Sequence, residues 1–439
     1  RSFLKFTDIN EREVGLITGK VKPEKRKILY DSCKVIIATP QTIANDIQNG
    51  RINLKDFVLA VFDEAHRAVK EYSYTEVAKT YITQAENPLI IGLTASPGGE
   101  EERIREVMRN LFIKFVEIRT EYDKDVKPYI KEIEKEYIKV ELPEEMEHIR
   151  KLLYGIYDEI LESLKQNSII TSKSISKKEL LSLQESLIKS YEAGIKDHKY
   201  VLGMIRVTQA VKILHLIELL ETQDISVFSS YVKELYSSKK HAEKILASHK
   251  NFIEIYKMLP ILEGKYNVHP KMKKLIEIIQ SIIKENPNVR IIVFANLRDT
   301  VERITNLLKE NGIRAEMLIG QAKKEGKGLS QKQQIEIVKK FANNEFNVLV
   351  CSSIGEEGLD IASVNYAIFY EAVPSEIRMI QRRGRIGRQT EGKVIFLLTK
   401  DSIDEGYFFS SYYKEKKMKK TLKMFKNGLI KKKSLIDWL

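Results

Sequence analysis

The sequence predicts an α/β fold in which two halves built on parallel sheets flank an all-helical domain. Three observations predict it. Short apolar runs of strand length alternate with helical patterns over residues 1 to about 118, and again from His269 onward, the alternation expected of a parallel sheet covered on both faces. Between them, from Glu144 to about Leu262, apolar residues recur at helical spacing with few Gly or Pro, which reads as a bundle. At 439 residues the chain has the length of about three domains, each able to bury its own core.

In the first half, strands are expected at residues 14–17, 34–39, 57–62 and 88–94, with helical patterns between them, as at 43–49 and 99–111. The apolar run 58–62, VLAVF, ends in Asp63 and Glu64, then Ala65 and His66. Ligands of open α/β sheets bind beyond the carboxyl ends of the strands, so two acids there face a ligand. Asp63 suits a Mg²⁺ ion, held directly or through water with Glu64 beside it. Glu64 suits orienting and deprotonating a water that attacks a phosphate. Acids also cap the helix that follows a strand, so the weight comes from far downstream. There QRRGRIGR, residues 381–388, gathers arginines at spacings suited to phosphate oxygens. Acids for metal and water in one half, with arginines for transition-state charge in the other, make a split phosphohydrolase site. Gly384 and Gly387 would only weaken a plain surface helix.

DEAH at 63–66, TAS at 94–96, EEGLD at 356–360 and QRRGRIGR resemble motifs II, III, V and VI of the superfamily 2 helicases. TPQTI, FDEAHRAV, GLTASPG, GLSQKQQ, IGEEGLD and VPSEIRMIQRRGRIGR are similar to the archaeal Hef helicases, relatives of FANCM that remodel branched DNA. The match covers nearly the whole chain in order, and ordered motifs are more specific than any one alone. It implies a first RecA-like lobe (1–120), a linker with an edge strand (121–143), a helical insert domain (144–262), a second RecA-like lobe (263–413) and a basic tail (414–439). It also implies ATP and Mg²⁺ as cofactors, and action as an ATP-driven DNA helicase or translocase on forks, flaps or junctions.

By the same resemblance, Asp63, Gly358, Asp360, Arg385 and Arg388 hold ATP. Asp360 would touch the ribose and Gly358 allow close backbone approach, while Arg385 and Arg388 act as arginine fingers and Gln381 orients γ-phosphate or water. His66 reaches toward the other half's motifs, and Thr94 and Ser96 couple nucleotide to strand. Nucleic-acid contacts fall on Thr39, Gln41 and Thr42 of ATPQT, on Asn296 and Arg298 of RIIVFANLRDT, and on Gln321, Ser352 and Ser353. None of these segments offers base-edge readers, so backbone and branch shape should be recognised rather than sequence.

One expected part is missing. No G-x-x-x-x-G-K-[ST] phosphate loop occurs in the sequence, and GQAKKEGKG at 320–328 has five intervening residues instead of four and Gly where Ser or Thr must bind the metal. The departure fits truncation upstream of Arg1, before motif Ib at Ala38, and the fragment alone is expected to be inactive. A second enzyme reading is an RNA-duplex ATPase like the RIG-I and Dicer helicases, which share such an insert. A third is a non-hydrolysing clamp on nucleic acid.

Net charge is +13, but ten lysines against Glu415 and Asp437 between residues 414 and 439 account for +8 of it. That argues for general attraction to polyanions and no more. In the insert, seventeen Lys and Arg nearly cancel sixteen acids. Cys33 and Cys351 read as small buried hydrophobes of a reducing, cytoplasmic compartment. No run of ~20 purely apolar residues suggests a membrane span. At the tail, Leu435, Trp438 and Leu439 in KKSLIDWL resemble a sliding-clamp (PCNA) binding box, with Lys432 in place of its leading Gln.

Overall fold

The computed structural model describes residues 2–98, 100–119, 123–129, 133–194, 197–320, 328–352, 361, 364–372 and 392–426. They fall into two compact units. Motif VI, most of motif V and the tail's clamp-binding box lie outside the described residues, and with them Gln321, Ser353, Gly358, Asp360, Gln381, Arg385, Arg388, Leu435, Trp438 and Leu439.

The first unit contains residues up to Lys127 and the end of the last helix from Ser411. Strands β1 (Val14–Ile17) and β2 (Val35–Ala38) pair in parallel, as do β3 (Ala60–Phe62) and β4 (Ile90–Gly92). Helices α1 (Pro23–Ser32) and α2 (Pro40–Gln48) each open on proline, which fits a first turn because its missing N–H would have no intrahelical partner there. Helices α3 (Ser73–Gln84) and α4 (Glu101–Asn110) follow β3 and β4. Ile17, Tyr30, Ile52, Leu54 and Tyr81 form one core, and Phe62, Ala65, Ala78, Val107 and Leu111 another. Asp46 on α2 is fully buried and accepts from Tyr30 Oη at 2.8 Å, with Arg26 at 3.1 Å and Arg51 at 3.2 Å, so α2 is anchored by a satisfied charge.

The expectation of a sheet covered on both faces is corrected here. Along 59–62 and 89–93 the burial alternates. Phe62 is inside, whereas Leu59, Val61, Leu89, Ile91 and Leu93 are exposed, and Val61 lies beside Ile91 in the ladder. Leu16 and Ile37, paired across β1 and β2, are exposed in the same way. A parallel strand reads as a continuous apolar run when both of its faces are buried. Among the described residues, one face of each pair is left open.

The second unit carries a six-stranded, all-parallel sheet in the order β5-β10-β9-β6-β8-β7. Its strands are β5 (Ile133–Val140), β6 (Ile291–Phe294), β7 (Ala315–Leu318), β8 (Val348–Cys351), β9 (Tyr366–Phe369) and β10 (Gly392–Thr399). β6 and β8 are buried at every position, as central parallel strands should be. The edge strand expected in the linker is β5, and it belongs to this sheet. Residues 133–140 are therefore part of the second lobe rather than a free connection, and the insert leaves and re-enters one and the same body.

Among the described residues the insert shows six helices: α5 (Glu144–Gln166), α6 (Lys177–Glu192), α7 (His198–Thr222), α8 (Ile225–Ser237), α9 (His241–Ala247) and α10 (Lys250–Lys265). α6 starts on a capping box in which Ser176 and Glu179 satisfy each other's backbone donors. Leu153, Leu164, Ile213, Leu216, Phe228 and Phe252 are fully buried in its core. Among the described residues α7 alone is long and apolar enough to cross a membrane, yet Val207, Ala210, Ile213, Leu216 and Ile217 on it are core of this bundle. α11 (Pro270–Glu285), α12 (Arg298–Glu310), α13 (Gln331–Ala342) and α14 (Ile403–Lys426) complete the chain. Ser330 and Gln333 form a capping box at the start of α13.

The C-terminal end of α7 is closed by side chains of the second lobe. The last four carbonyls of a helix lack intrahelical donors. Here Leu219 O accepts from Gln223 N at 2.9 Å, Leu220 O from His269 Nε2 at 3.0 Å, Glu221 O from Thr399 Oγ1 at 2.7 Å and Thr222 O from Tyr370 Oη at 2.7 Å. Burial pushes the His269 imidazole down to about 4. It stays neutral, with Nε2–H donating and Nδ1 accepting from Lys271 N at 3.1 Å.

Candidate active site

In the first unit, β3 brings Asp63 and Glu64 to its carboxyl tip, as expected. Glu64 takes a left-handed backbone, φ 50° and ψ 48°, a conformation that costs a non-glycine residue about 1–3 kcal/mol and concentrates at functional sites. Two bonds hold the turn: Asp63 Oδ1 accepts from Glu64 N at 2.9 Å, and Tyr74 Oη donates to Asp63 O at 2.6 Å. Ala65 N bonds Leu93 O at 2.8 Å, locking the turn to the end of β4. A Cβ on Gly92 would stand 3.1 Å from that of Ala65, so glycine permits this approach. Tyr74 had no sequence signal beyond an aromatic near a helix start. It is nevertheless the side chain on α3 that ties to the acid turn, with its ring edge-on to Phe62 at 5.1 Å.

His66 is buried, its Nδ1 3.0 Å from Thr94 Oγ1 and 3.3 Å from Glu64 Oε2. Burial first, then the Arg67 and Arg103 charges, hold the imidazole down at about 4, so near neutral pH it meets Glu64 as an uncharged ring. Thr94 Oγ1 donates to Ser96 O at 3.1 Å, which leaves it to accept, and the network therefore assigns the proton to His66 Nδ1. Ser96 in turn is buried, and its Oγ donates to Met418 Sδ at 3.0 Å. Met418 and Leu422 pack on Ile104 within the same unit. The expected coupling residues Thr94 and Ser96 are thus wired to the acid turn on one side and to the end of α14 on the other. That second connection had no local signal, because it joins residues 322 apart.

The imidazole makes a testable contribution to acid stability. Between its ordinary 6.5 and about 4, the unfolded chain takes up a proton that the folded ring refuses, so stability falls as pH drops through that window. Denaturant titrations at pH 7 and pH 5 should show the loss, and His66→Gln should make it shallower. His269, also held at about 4, adds to the loss, while Glu221, pushed up to about 8 by burial, opposes it over the same window.

At the β2 tip, Thr39 and Gln41 are exposed at the start of α2, where backbone N–H groups and the helix dipole favour a phosphate. Thr42, expected to contact nucleic acid, is instead buried, its hydroxyl 2.7 Å from Thr39 Oγ1, so it supports Thr39. In the second unit the parallel strand tips gather Asn296, Arg298 and Ser352. Arg298 NH2 lies 3.2 Å from where a Cβ on Gly320 would stand. Ser352 is buried, with its N–H on Leu318 O at 3.1 Å.

Hard carboxylate oxygens at a strand tip fit Mg²⁺. Mg²⁺ is commonly held by one or two carboxylates with substrate phosphates and water. Asp63 and Glu64 would hold it, and the ion would neutralise charge developing on the phosphates.

Comparison with known proteins gives three family matches along the chain: the type III restriction enzyme res subunit over residues 1–99, a helical bundle of a putative ATP-dependent RNA helicase over 145–263, and the helicase conserved C-terminal domain over 270–390. The crystal structure of the Pyrococcus furiosus Hef helicase domain is 43% identical, with a TM-score of 0.71, covering 93% of this chain and 85% of that one. A putative ATP-dependent RNA helicase of Methanocaldococcus jannaschii, MJ1505, is 44% identical over 95% of this chain and 52% of its own length. The ATP-dependent DNA helicase mph1 of Neurospora crassa is 32% identical over 92% of this chain and 36% of its own. The chain thus spans about half or less of the curated relatives it matches.

Proposed function

Because the chain belongs to the Hef, FANCM and Mph1-like superfamily 2 helicases, ATP-dependent enzymes of α/β fold, we propose that it drives ATP-powered remodelling of branched DNA: forks, flaps or four-way junctions. The observation that carries the reading is the acid turn. Asp63 and Glu64 sit at a parallel-strand tip, wired through His66 to Thr94 and Ser96, in a chain whose motifs run in helicase order. Asp63 holds the metal, Glu64 takes the water proton, and Arg385 and Arg388 meet the charge of the transferring phosphoryl group. Thr39, Gln41, Asn296 and Arg298 sit at strand tips, where they can track strand phosphates. By itself the 439-residue stretch, with no phosphate-loop sequence, does not hydrolyse ATP. Leu435, Trp438 and Leu439 would anchor a sliding clamp.

The Methanocaldococcus relative is named a putative RNA helicase, and this keeps a double-stranded RNA substrate as the second reading. ATP hydrolysis by the full-length protein decides between them when forked DNA, linear duplex DNA and double-stranded RNA are each added. Stimulation of tenfold or more by forks over linear duplex is expected. Stimulation by double-stranded RNA alone would move the activity to RNA.

A further inference from the structure

The end of α7 does more than seat the insert. Gln223, directly after that helix, is buried and bridges two parts of the second lobe. Its Nε2 donates to Glu371 Oε1 at 2.7 Å and its Oε1 accepts from Thr300 Oγ1 at 2.6 Å. Glu371, just beyond β9 and also buried, spends its other oxygen on the β6 tip: Oε2 accepts from Asn296 N at 2.5 Å. Asn296 Nδ2 donates onward to Ala372 O at 3.2 Å. A continuous hydrogen-bonded line therefore runs from the insert's central helix to the backbone of the Asn296 loop, and the same carboxylate borders the residues that lead into QRRGRIGR.

The chemistry of the pair is directional. Two of Glu371's partners, an amide N–H and a backbone N–H, are donors to its two different oxygens, so the position needs two acceptor oxygens, which a carboxylate has and an amide lacks. Gln223 must both donate and accept. Buried polar lines of this kind lose most when half satisfied.

We infer that Gln223 and Glu371 are positioning residues through which the helical insert holds the conformation of the Asn296 loop, a strand-contacting tip of the second lobe. The inference rests on the helicase reading of that loop. Both residues are buried. They act through Asn296, and their loss uncouples stimulation from binding rather than removing either.

The pair can be exchanged. In Gln223→Glu two carboxylates face each other, and in Glu371→Gln one of its two donors meets an N–H. With both substitutions together, the amide at 371 donates to the carboxylate at 223 and still accepts from Asn296 N, while the carboxylate at 223 still accepts from Thr300 and also from Thr222 Oγ1, whose hydroxyl accepts from Gln223 Nε2 in the wild type and turns from Glu218 O to donate instead. Net charge is unchanged. The experiment is steady-state ATP hydrolysis by the full-length protein with and without forked DNA, beside fork affinity and thermal unfolding, for wild type, both single variants and the exchange.

Each single variant is expected to lower fork stimulation about fivefold or more, with basal hydrolysis and fork affinity within about twofold. The exchange should restore stimulation to within about twofold of wild type. Parallel loss of basal activity, stimulation and folding in the singles, or an exchange no better than either single, would overturn the inference. A wild-type protein that no nucleic acid stimulates would overturn the helicase reading itself, a result distinguishable from failure of the pair.

Discussion

Replacing Glu64 by Gln is expected to lower ATP hydrolysis by the full-length protein by ~10²–10⁴, the contribution of a positioned general base. Nucleotide affinity should change by no more than a few-fold. The substitution is nearly isosteric. The amide can turn its oxygen toward His66 Nδ1, which lies 3.3 Å from Glu64 Oε2, and the left-handed backbone at φ 50° is no harder for Gln than for Glu. The turn therefore keeps its shape and Asp63 keeps its place, and what disappears is a group able to take a proton from water. Single-turnover hydrolysis measured beside fluorescent-nucleotide binding separates these terms. A variant retaining more than about a tenth of wild-type activity would remove Glu64 as the base.

The second large effect is on stability, and it lies in the second unit. Lys271 on α11 is fully buried, its Nζ 2.6 Å from Asp404 Oδ2 and 5.0 Å from the centre of the Tyr370 ring. Asp404 spends its other oxygen on Ala372 N at 2.8 Å. Lys271→Met leaves a buried carboxylate without its counter-charge, a change that costs about 3–5 kcal/mol. Adding Asp404→Asn should recover most of the loss, since the amide oxygen can still accept from Ala372 and no charge remains. Urea midpoints at constant slope give the comparison. A single variant within 1 kcal/mol of wild type, a bound set by ordinary surface changes, would mean that water reaches the pair.

Much of the site was legible because its chemistry is local in sequence. An apolar strand followed at once by Asp63 and Glu64 carries its own geometry, as do Thr94 and Ser96 after β4 and Asn296 after β6. The misses depend on partners that the sequence does not name, whether three residues off or far away in the chain. Thr42 looked like a phosphate contact until its neighbour Thr39 claimed its hydroxyl. Residues 121–143 looked like a linker because a single charged strand does not announce which sheet it joins. Gln223 and Asp224 carried no sequence signal, and their lobe-two partners Glu371, His269 and Arg303 reveal a junction. The open face at Val61 and Ile91 was missed as well: an apolar run states that burial is needed, but not what provides it.

β5 also fixes a schedule for folding. It pairs in register with β10, Ile133 beside Gly392, so on a ribosome the strand emerges 259 residues before its partner. Pairings this distant form late and leave an unpaired edge exposed in the meantime. The sequence of the waiting strand, IEKEYIKV, is suited to the delay, because charges on a lone edge discourage pairing with other chains. Glu134 and Glu136 later receive Lys393 at 3.0 and 2.9 Å. The charges that keep the strand solitary during synthesis are thus the ones that its proper neighbour neutralises on arrival.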